Sequence, residues 1–377
     1  MNHNVDTYDD IEVRRPQLAR TYLELIRLQP GRPLAMFAPR RVGKTHFLDH
    51  DLAPEAQRVG WLPVYADLWL QKSAPLDAIN HALEEALDDV TVPVTALSRL
   101  ANTPVKKLGA FGASIDLDTT PARRVLPSAP ELRLDALVTR LAQQAGKPVL
   151  LMLDEIQTLG DVPDGERIIA TLRAVLHKRR KVLMSVFTGS SQEALARMLS
   201  SVGGPMYQFA QLLDFPALGD PYLKALAKHF AKVHAGKTLA LSDLQTVFAQ
   251  LGHKPGLLRD LVKAMSAEGV TDVRVGLQHF MSDERQIAGW QALLQPLQLS
   301  ERAVLWALAQ DLPPLGQGTL DLLAQLPGGR PTLAKVRAIL ERLRRAGLVS
   351  RPASGTVRLD DPLLAKYLQA KSLAQLR

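Results

Sequence analysis

The chain has 377 residues, room for two or three domains and a sizeable core, and its 46% hydrophobic and 22% charged shares are those of an ordinary globular protein. No apolar run reaches the about eighteen residues of a membrane span and Cys is absent, which excludes spanning, disulfide-stapled and thiol-catalytic classes and cysteine-ligated zinc. The net charge of +8 is uneven: Leu299 to Arg377 holds 12 Lys/Arg against 6 Asp/Glu on a nearly neutral body, which points to a polyanion partner at that end, while 5% aromatics argue against a single-strand stacking platform.

Met1 to Asp10 is acidic and polar where a secretory leader would be basic and then apolar, so a cytoplasmic location and no membrane partner are expected. Pro33 to Ala38 is a short apolar run bounded by Pro and Gly, as a buried strand requires, and a helix is predicted from His46 onward. Trp61 to Asp67 forms the next apolar strand. Leu76, Ile79, Ala82, Leu83 and Leu87 have helical spacing behind Pro75. From about 91 to 129 Ser, Thr, Gly and Pro break the pattern, an insertion with a hairpin around 113–118.

Regularity returns with a helix over Glu131–Gln144, a strand over Val149–Asp154, a helix over Glu166–Lys178, a strand over Val182–Thr188, a helix through Leu199 and a strand over Gln211–Phe215. Alternating helices and apolar strands predict an α/β core with a parallel sheet covered on both faces. Pro221 to Leu294 reads as helix throughout. In the tail, Ser300 caps a helix over Glu301–Gln310, helices follow at Thr319–Leu326 and Pro331–Ala346, and strands at Leu348–Arg351 and Thr356–Leu359 flank a turn at Pro352–Gly355. Three helices and a hairpin make a winged-helix pattern. The predicted domains are therefore 1–218, 219–297 and 298–377.

Gly43, Lys44 and Thr45 follow an apolar strand and open a helix, the arrangement in which backbone N–H groups and a helix N-terminus face a polyphosphate. Lys44 would reach the β- and γ-phosphates of ATP and the Thr45 hydroxyl would bind Mg²⁺. Ala38 stands where this loop usually has its first Gly; Pro39 biases it to extended backbone, so Ala is tolerable there. A second apolar strand delivers Asp154 and Glu155 at its carboxyl end, as a Walker B site does: Asp154 to hold Mg²⁺, Glu155 to orient and polarise the attacking water. A further strand ends in Phe187–Ser191, where Thr188, Ser190 and Ser191 carry hydroxyls suited to sensing the γ-phosphate.

Together, Pro39–Thr45, Leu153–Gln157 and Gly189–Ser191 resemble the motifs of the archaeal-type ATPases near the AAA+ and STAND branches of the P-loop NTPases, a similarity running from about Ile11 to Lys366. The resemblance implies a P-loop core, a helical lid and a C-terminal winged helix, with an extra strand between the Walker A and Walker B strands. It implies that the loop from Ala38 through Pro39, Arg40, Arg41 and Val42 to His46 contacts nucleotide. Leu251–Pro255 is similar to the stretch this family places beside the nucleotide, so His253 and Pro255 join the site; Asp360–Leu364 closes the winged helix.

Two positions depart from the family. Phe209 stands where an Arg for a neighbour's γ-phosphate is often found, which speaks against trans-activated hydrolysis and leaves Arg179, Arg180 and Arg197 as substitutes. Val13–Pro16 replaces a common Gly-Arg-Glu, and no oligomer is indicated. His46 and His50 have the spacing of a two-histidine metal face, but no Glu or third ligand accompanies them in sequence, so no metal is expected there. Arg337, Arg342, Arg344 and Arg345 on one helix would lie on double-stranded DNA, with Arg351 and Arg358 from the wing; the other reading is a module that docks protein. The expected function is an ATPase acting as a nucleotide-driven switch on DNA or a protein partner; the alternative is a nucleotide-holding signalling module with negligible turnover.

Overall fold

The computed structural model describes Tyr8 and residues 11–91, 125–190, 209–327, 331–350 and 356–376. The hairpin expected at 113–118, the helix expected through Leu199, the turn at 352–355, and Ser191, Arg197 and Arg351 lie outside them.

Five strands, β1 (Leu34–Phe37), β2 (Leu62–Asp67), β3 (Val149–Asp154), β4 (Leu183–Gly189) and β5 (Gln211–Asp214), form one parallel sheet in the order β2-β3-β4-β1-β5. β3 shows why: every residue is buried, with Val149, Leu151 and Leu153 in one apolar cluster and Leu150 and Met152 in another. A strand with a period of two and both faces apolar can only sit between layers. One layer is α1 (Pro16–Leu28), α2 (Lys44–Phe47), a π turn (Leu48–Leu52) and α3 (Ala53–Arg58). The other is α4 (Pro75–Thr91), α5 (Pro130–Ala145) and α6 (Gly165–Lys178). β4 does lie between β1 and β3, and parallel pairing brings the carboxyl ends of all three to one edge.

The remainder is helical: α7 (Asp220–Val233), α8 (Leu241–Gln250), α9 (Pro255–Glu268), α10 (Val273–Ser282) and α11 (Glu284–Leu294), then α12 (Leu299–Ala309), α13 (Gln317–Ala324) and α14 (Leu333–Arg345). An antiparallel ribbon of β6 (Val349–Ser350) and β7 (Arg358–Leu359) follows, and α15 (Pro362–Gln369) packs on α12. One apolar cluster runs from Tyr222 to Leu368, with the Trp290 and Tyr367 rings 5.0 Å apart, so α7–α11 and the C-terminal module share a core. The cap of α12 is Gln298, two residues before the expected Ser300: Glu301 reaches back to accept from Gln298 N–H at 2.8 Å, which leaves Ser300 inside the helix. No helix among the described residues is long and apolar enough to cross a membrane.

Candidate active site

The loop after β1 enters α2 through two left-handed residues, Arg41 (φ 67°) and Gly43 (φ 91°). Such reversals turn consecutive N–H groups toward one concavity, and Gly43 adopts its conformation without the Cβ penalty. Lys44 folds back over the loop, donating from Nζ to Ala38 O at 2.8 Å and Pro39 O at 3.0 Å, and is 6% exposed. Burial lowers the affinity of this ammonium for its proton; Glu155, Asp154 and Asp360 oppose that, and Arg40 adds to it. A buried cation held by two neutral carbonyls fits an anion arriving from solvent.

Asp154 ends β3 buried and is approached by three hydroxyls: Thr45 Oγ1 donates to Oδ2 at 2.7 Å, Tyr65 OH to Oδ2 at 3.2 Å, and Thr188 Oγ1 to Oδ1. Thr45 and Asp154, 109 residues apart, are thus one polar unit, an oxygen set that fits Mg²⁺. Burial, then the Asp154 charge, raises the Tyr65 pKa and keeps its phenol a donor. Glu155 is left-handed at φ 56°, a turn that ends the strand and starts a 3-10 segment at Ile156–Gly160. Its Oε2 accepts from Ser190 Oγ at 2.7 Å and from Gln157 Nε2. Gly189 makes room for this: a Cβ there would lie 2.6 Å from Gln157 Oε1.

No family model matches the sequence, and no curated protein is significantly similar to it. Solved structures match along nearly the whole chain. A Walker-type ATPase of Pyrococcus abyssi is similar at TM-score 0.62 and 16% identity over 95% of this chain and 96% of its own. The ORC2 protein of Aeropyrum pernix, solved in ADPNP–ADP complexes, is similar at TM-score 0.52 and 17% identity over 95% and 92%. The fold these structures share with the chain is the P-loop NTPase one, a parallel five-stranded sheet covered by helices.

Within this P-loop fold the expected residues divide. Lys44, Thr45, Asp154, Glu155 and Ser190 converge at the sheet edge. Val42 is buried among apolar neighbours. Arg40 leaves the loop to lie 4.7 Å over the Trp69 ring, and Arg41 pairs with Asp260 on α9. A cleft of about 300 Å³ beside the loop is lined by Ile11, Val13 and Arg15 before α1, by Gly43 and His46, and by Pro255, Gly256 and Arg259 of α9. Pro255 lines this cleft with Gly43, whereas His253, left-handed at φ 53°, turns edge-on to Phe248 and is not among the lining residues.

The two described finger candidates, Arg179 and Arg180, lie elsewhere. Arg179 donates to both oxygens of Asp135, at 2.6 and 2.8 Å, and Arg179 and Arg180 precede β4, at the sheet edge opposite the site. Phe209 packs under Arg173. Tyr65 and Asp360 are the residues that sequence reasoning left without a role here; Asp360 sits inside a run already marked by motif, Tyr65 has no local signal, and Thr188, expected with Ser190 and Ser191 to face the γ-phosphate, gives its hydroxyl to Asp154.

Asp360 belongs to the C-terminal module. Its carboxylate accepts from Lys254 at 3.0 Å, a pair 15% and 6% exposed, and its backbone oxygen accepts from the same Nζ. Arg344, Gly347 and Asp360 line a cavity of about 470 Å³ together with Arg40, Gln157 and Ser190. On α14, Arg342 is engaged by the buried Glu301 at 2.7 Å, and Arg344 and Arg345 by Glu341 at 2.7 and 3.3 Å.

Proposed function

We propose that the chain binds Mg-ATP at the loop from Ala38 to Thr45, hydrolyses it to ADP and phosphate, and uses the nucleotide state as a switch on double-stranded DNA met by the C-terminal module, taken as a winged helix. The observation that carries this reading is the continuous unit Thr45–Asp154–Glu155–Ser190 beside the buried Lys44 ammonium. The ATPase named for one structural neighbour and the ADPNP and ADP bound by the other support it.

Lys44 exchanges the Ala38 and Pro39 carbonyls for phosphate oxygens, a charge-assisted and stronger partnership. Thr45 and Asp154 would hold Mg²⁺, which when bound screens the phosphate charge. Glu155 orients the attacking water and takes up its proton, and Ser190 reports on the γ-phosphate through the hydrogen bond it already gives Glu155. One feature favours slow turnover as a second reading: the Glu155 carboxylate is engaged by Ser190 and Gln157, so it must be released before it can act on water.

The test is multiple-turnover hydrolysis by wild type and Glu155→Gln, with and without duplex DNA. Wild-type turnover that falls about 10²- to 10⁴-fold in the variant, with ATP still bound, supports the ATPase. Equal rates remove Glu155 from the mechanism. Turnover near zero in both, with tight ATP binding, selects the nucleotide-holding module.

A further inference from the structure

His46 and His50 lack a third ligand in sequence, but the fold supplies one. The segment entering α1 crosses beside α2 and puts Glu12 Oε1 3.7 Å from His46 Nε2 and 3.4 Å from His50 Nε2. All three ligand atoms lie within 4.8 Å of one another. Two atoms bound tetrahedrally to one ion at about 2.0–2.1 Å are about 3.3 Å apart, so the observed spacing needs a contraction of only a few tenths of an ångström at the glutamate.

The π turn contributes. In an α-helix, four residues overshoot a full turn by about 40°, and the wider turn at Leu48–Leu52 removes much of that offset. The imidazoles stack 4.2 Å apart and 7° from parallel, with both Nε2 atoms toward Glu12. Binding one ion requires each ring to turn about χ2 out of this parallel stack so that both lone pairs meet at one point.

The surroundings also fit a cation. Asp49 Oδ2 lies 3.4 Å from His50 Nδ1, off the line of a hydrogen bond but close enough to form one when the ring turns, as carboxylates behind metal-bound histidines do. Arg14 is 3.7 Å from the other Glu12 oxygen, leaving Oε1 for the ion, and its charge is matched by Asp51 at 3.1 Å. The three ligands are about two-fifths exposed, so an ion reaches them from solvent.

We propose that Glu12, His46 and His50 form a zinc site, with solvent as the fourth ligand, distinct from the Mg²⁺ position at Thr45 and Asp154. Two imidazoles and one carboxylate select a borderline ion such as Zn²⁺ over Mg²⁺, which takes oxygen ligands. Zinc there joins the segment carrying Ile11 and Val13 to the helix that follows the loop, fixing one wall of the cleft of about 300 Å³. The site stands whether or not the chain hydrolyses ATP.

The experiment is calorimetric titration of the full chain with Zn²⁺ in excess Mg²⁺, beside His50→Ala and Glu12→Gln, repeated with Co²⁺ to read ligand geometry by absorption. Neither substitution removes a buried side chain, and circular dichroism checks the fold. One Zn²⁺ per chain, bound by wild type at least about tenfold more tightly than by either variant, with a four-coordinate Co²⁺ spectrum that both variants lose, is the expected result. Equal affinity in all three proteins, absence of binding, or a six-coordinate Co²⁺ spectrum in wild type overturns the proposal.

Discussion

Lys44 is a buried cation without a carboxylate or phosphate in hydrogen-bond contact among the described residues. Its ammonium is buried against carbonyl oxygens that compensate desolvation less well than a phosphate would. Lys44→Ala is therefore expected to weaken ATP binding by about 1.5–3 kcal/mol, tenfold or more, while the apo protein keeps its fold. Equilibrium binding of a fluorescent ATP analogue reads this, and unchanged affinity in a folded variant would exclude Lys44 from the site. Asp154 is the reverse case. Its hydroxyl donors come from β2, β4 and α2, with Tyr65 89 residues away in sequence. Motif spacing could mark Thr45 and Asp154, because strand, loop and helix place them locally; Tyr65 and Glu12 arrive by topology, and no neighbouring residue announces them.

At the scale of elements, the strands were readable because a parallel strand buried on both faces must be a continuous apolar run, and β3 is one from Val149 to Leu153. α1 carries its stripe of Ala19, Tyr22, Leu23 and Ile26 without a motif beside it, and the packing of that stripe on α2, the π turn and α3 gives it a place in the core. The Ser300 cap failed because Gln298 and Glu301 offered the helix a start further upstream. Between elements, Asp135 on α5 joins the end of α6: hydrogen bonds from Arg179, against some desolvation, with Lys178 adding, bring its pKa down to about 2. A carboxylate whose folded pKa is depressed stabilises above its unfolded value near 3.8, and the contribution is lost as pH falls through about 2. Asp135→Asn should cost about 1–2 kcal/mol at neutral pH, with the gap from wild type closing toward pH ~2. Urea unfolding of both proteins across that range tests it; a gap independent of pH would assign the loss to packing.

For the whole molecule, the basic C-terminal module is held against the nucleotide end of the core. Arg344 is 11% exposed at that contact, so the last turn of α14 is covered on one side. A duplex lying along α14 would require the module to move away, and the buried Lys254–Asp360 pair resists that movement. Asp360→Ala leaves Lys254 buried without its carboxylate, which disfavours the docked state. Duplex affinity should then rise by roughly tenfold, about 1.4 kcal/mol, while its dependence on salt stays that of the wild type because no phosphate-facing residue has changed. Fluorescence anisotropy with labelled duplex at several salt concentrations reads both quantities. Unchanged affinity would mean that docking does not limit DNA binding, and no binding at low salt by either protein would leave a protein partner as the better reading.

The left-handed backbone of Glu155 carries a conformational cost that the fold bears. A residue with a Cβ at φ 56° sacrifices roughly 1–2 kcal/mol relative to glycine, and here it does so at the end of β3. Under the proposed role of Glu155, a sturdier fold and turnover pull in opposite directions at this position. Glu155→Gly should therefore unfold at a higher temperature than wild type while losing hydrolysis, and a lower unfolding temperature would mean that the hydrogen bonds from Ser190 and Gln157 outweigh the strain.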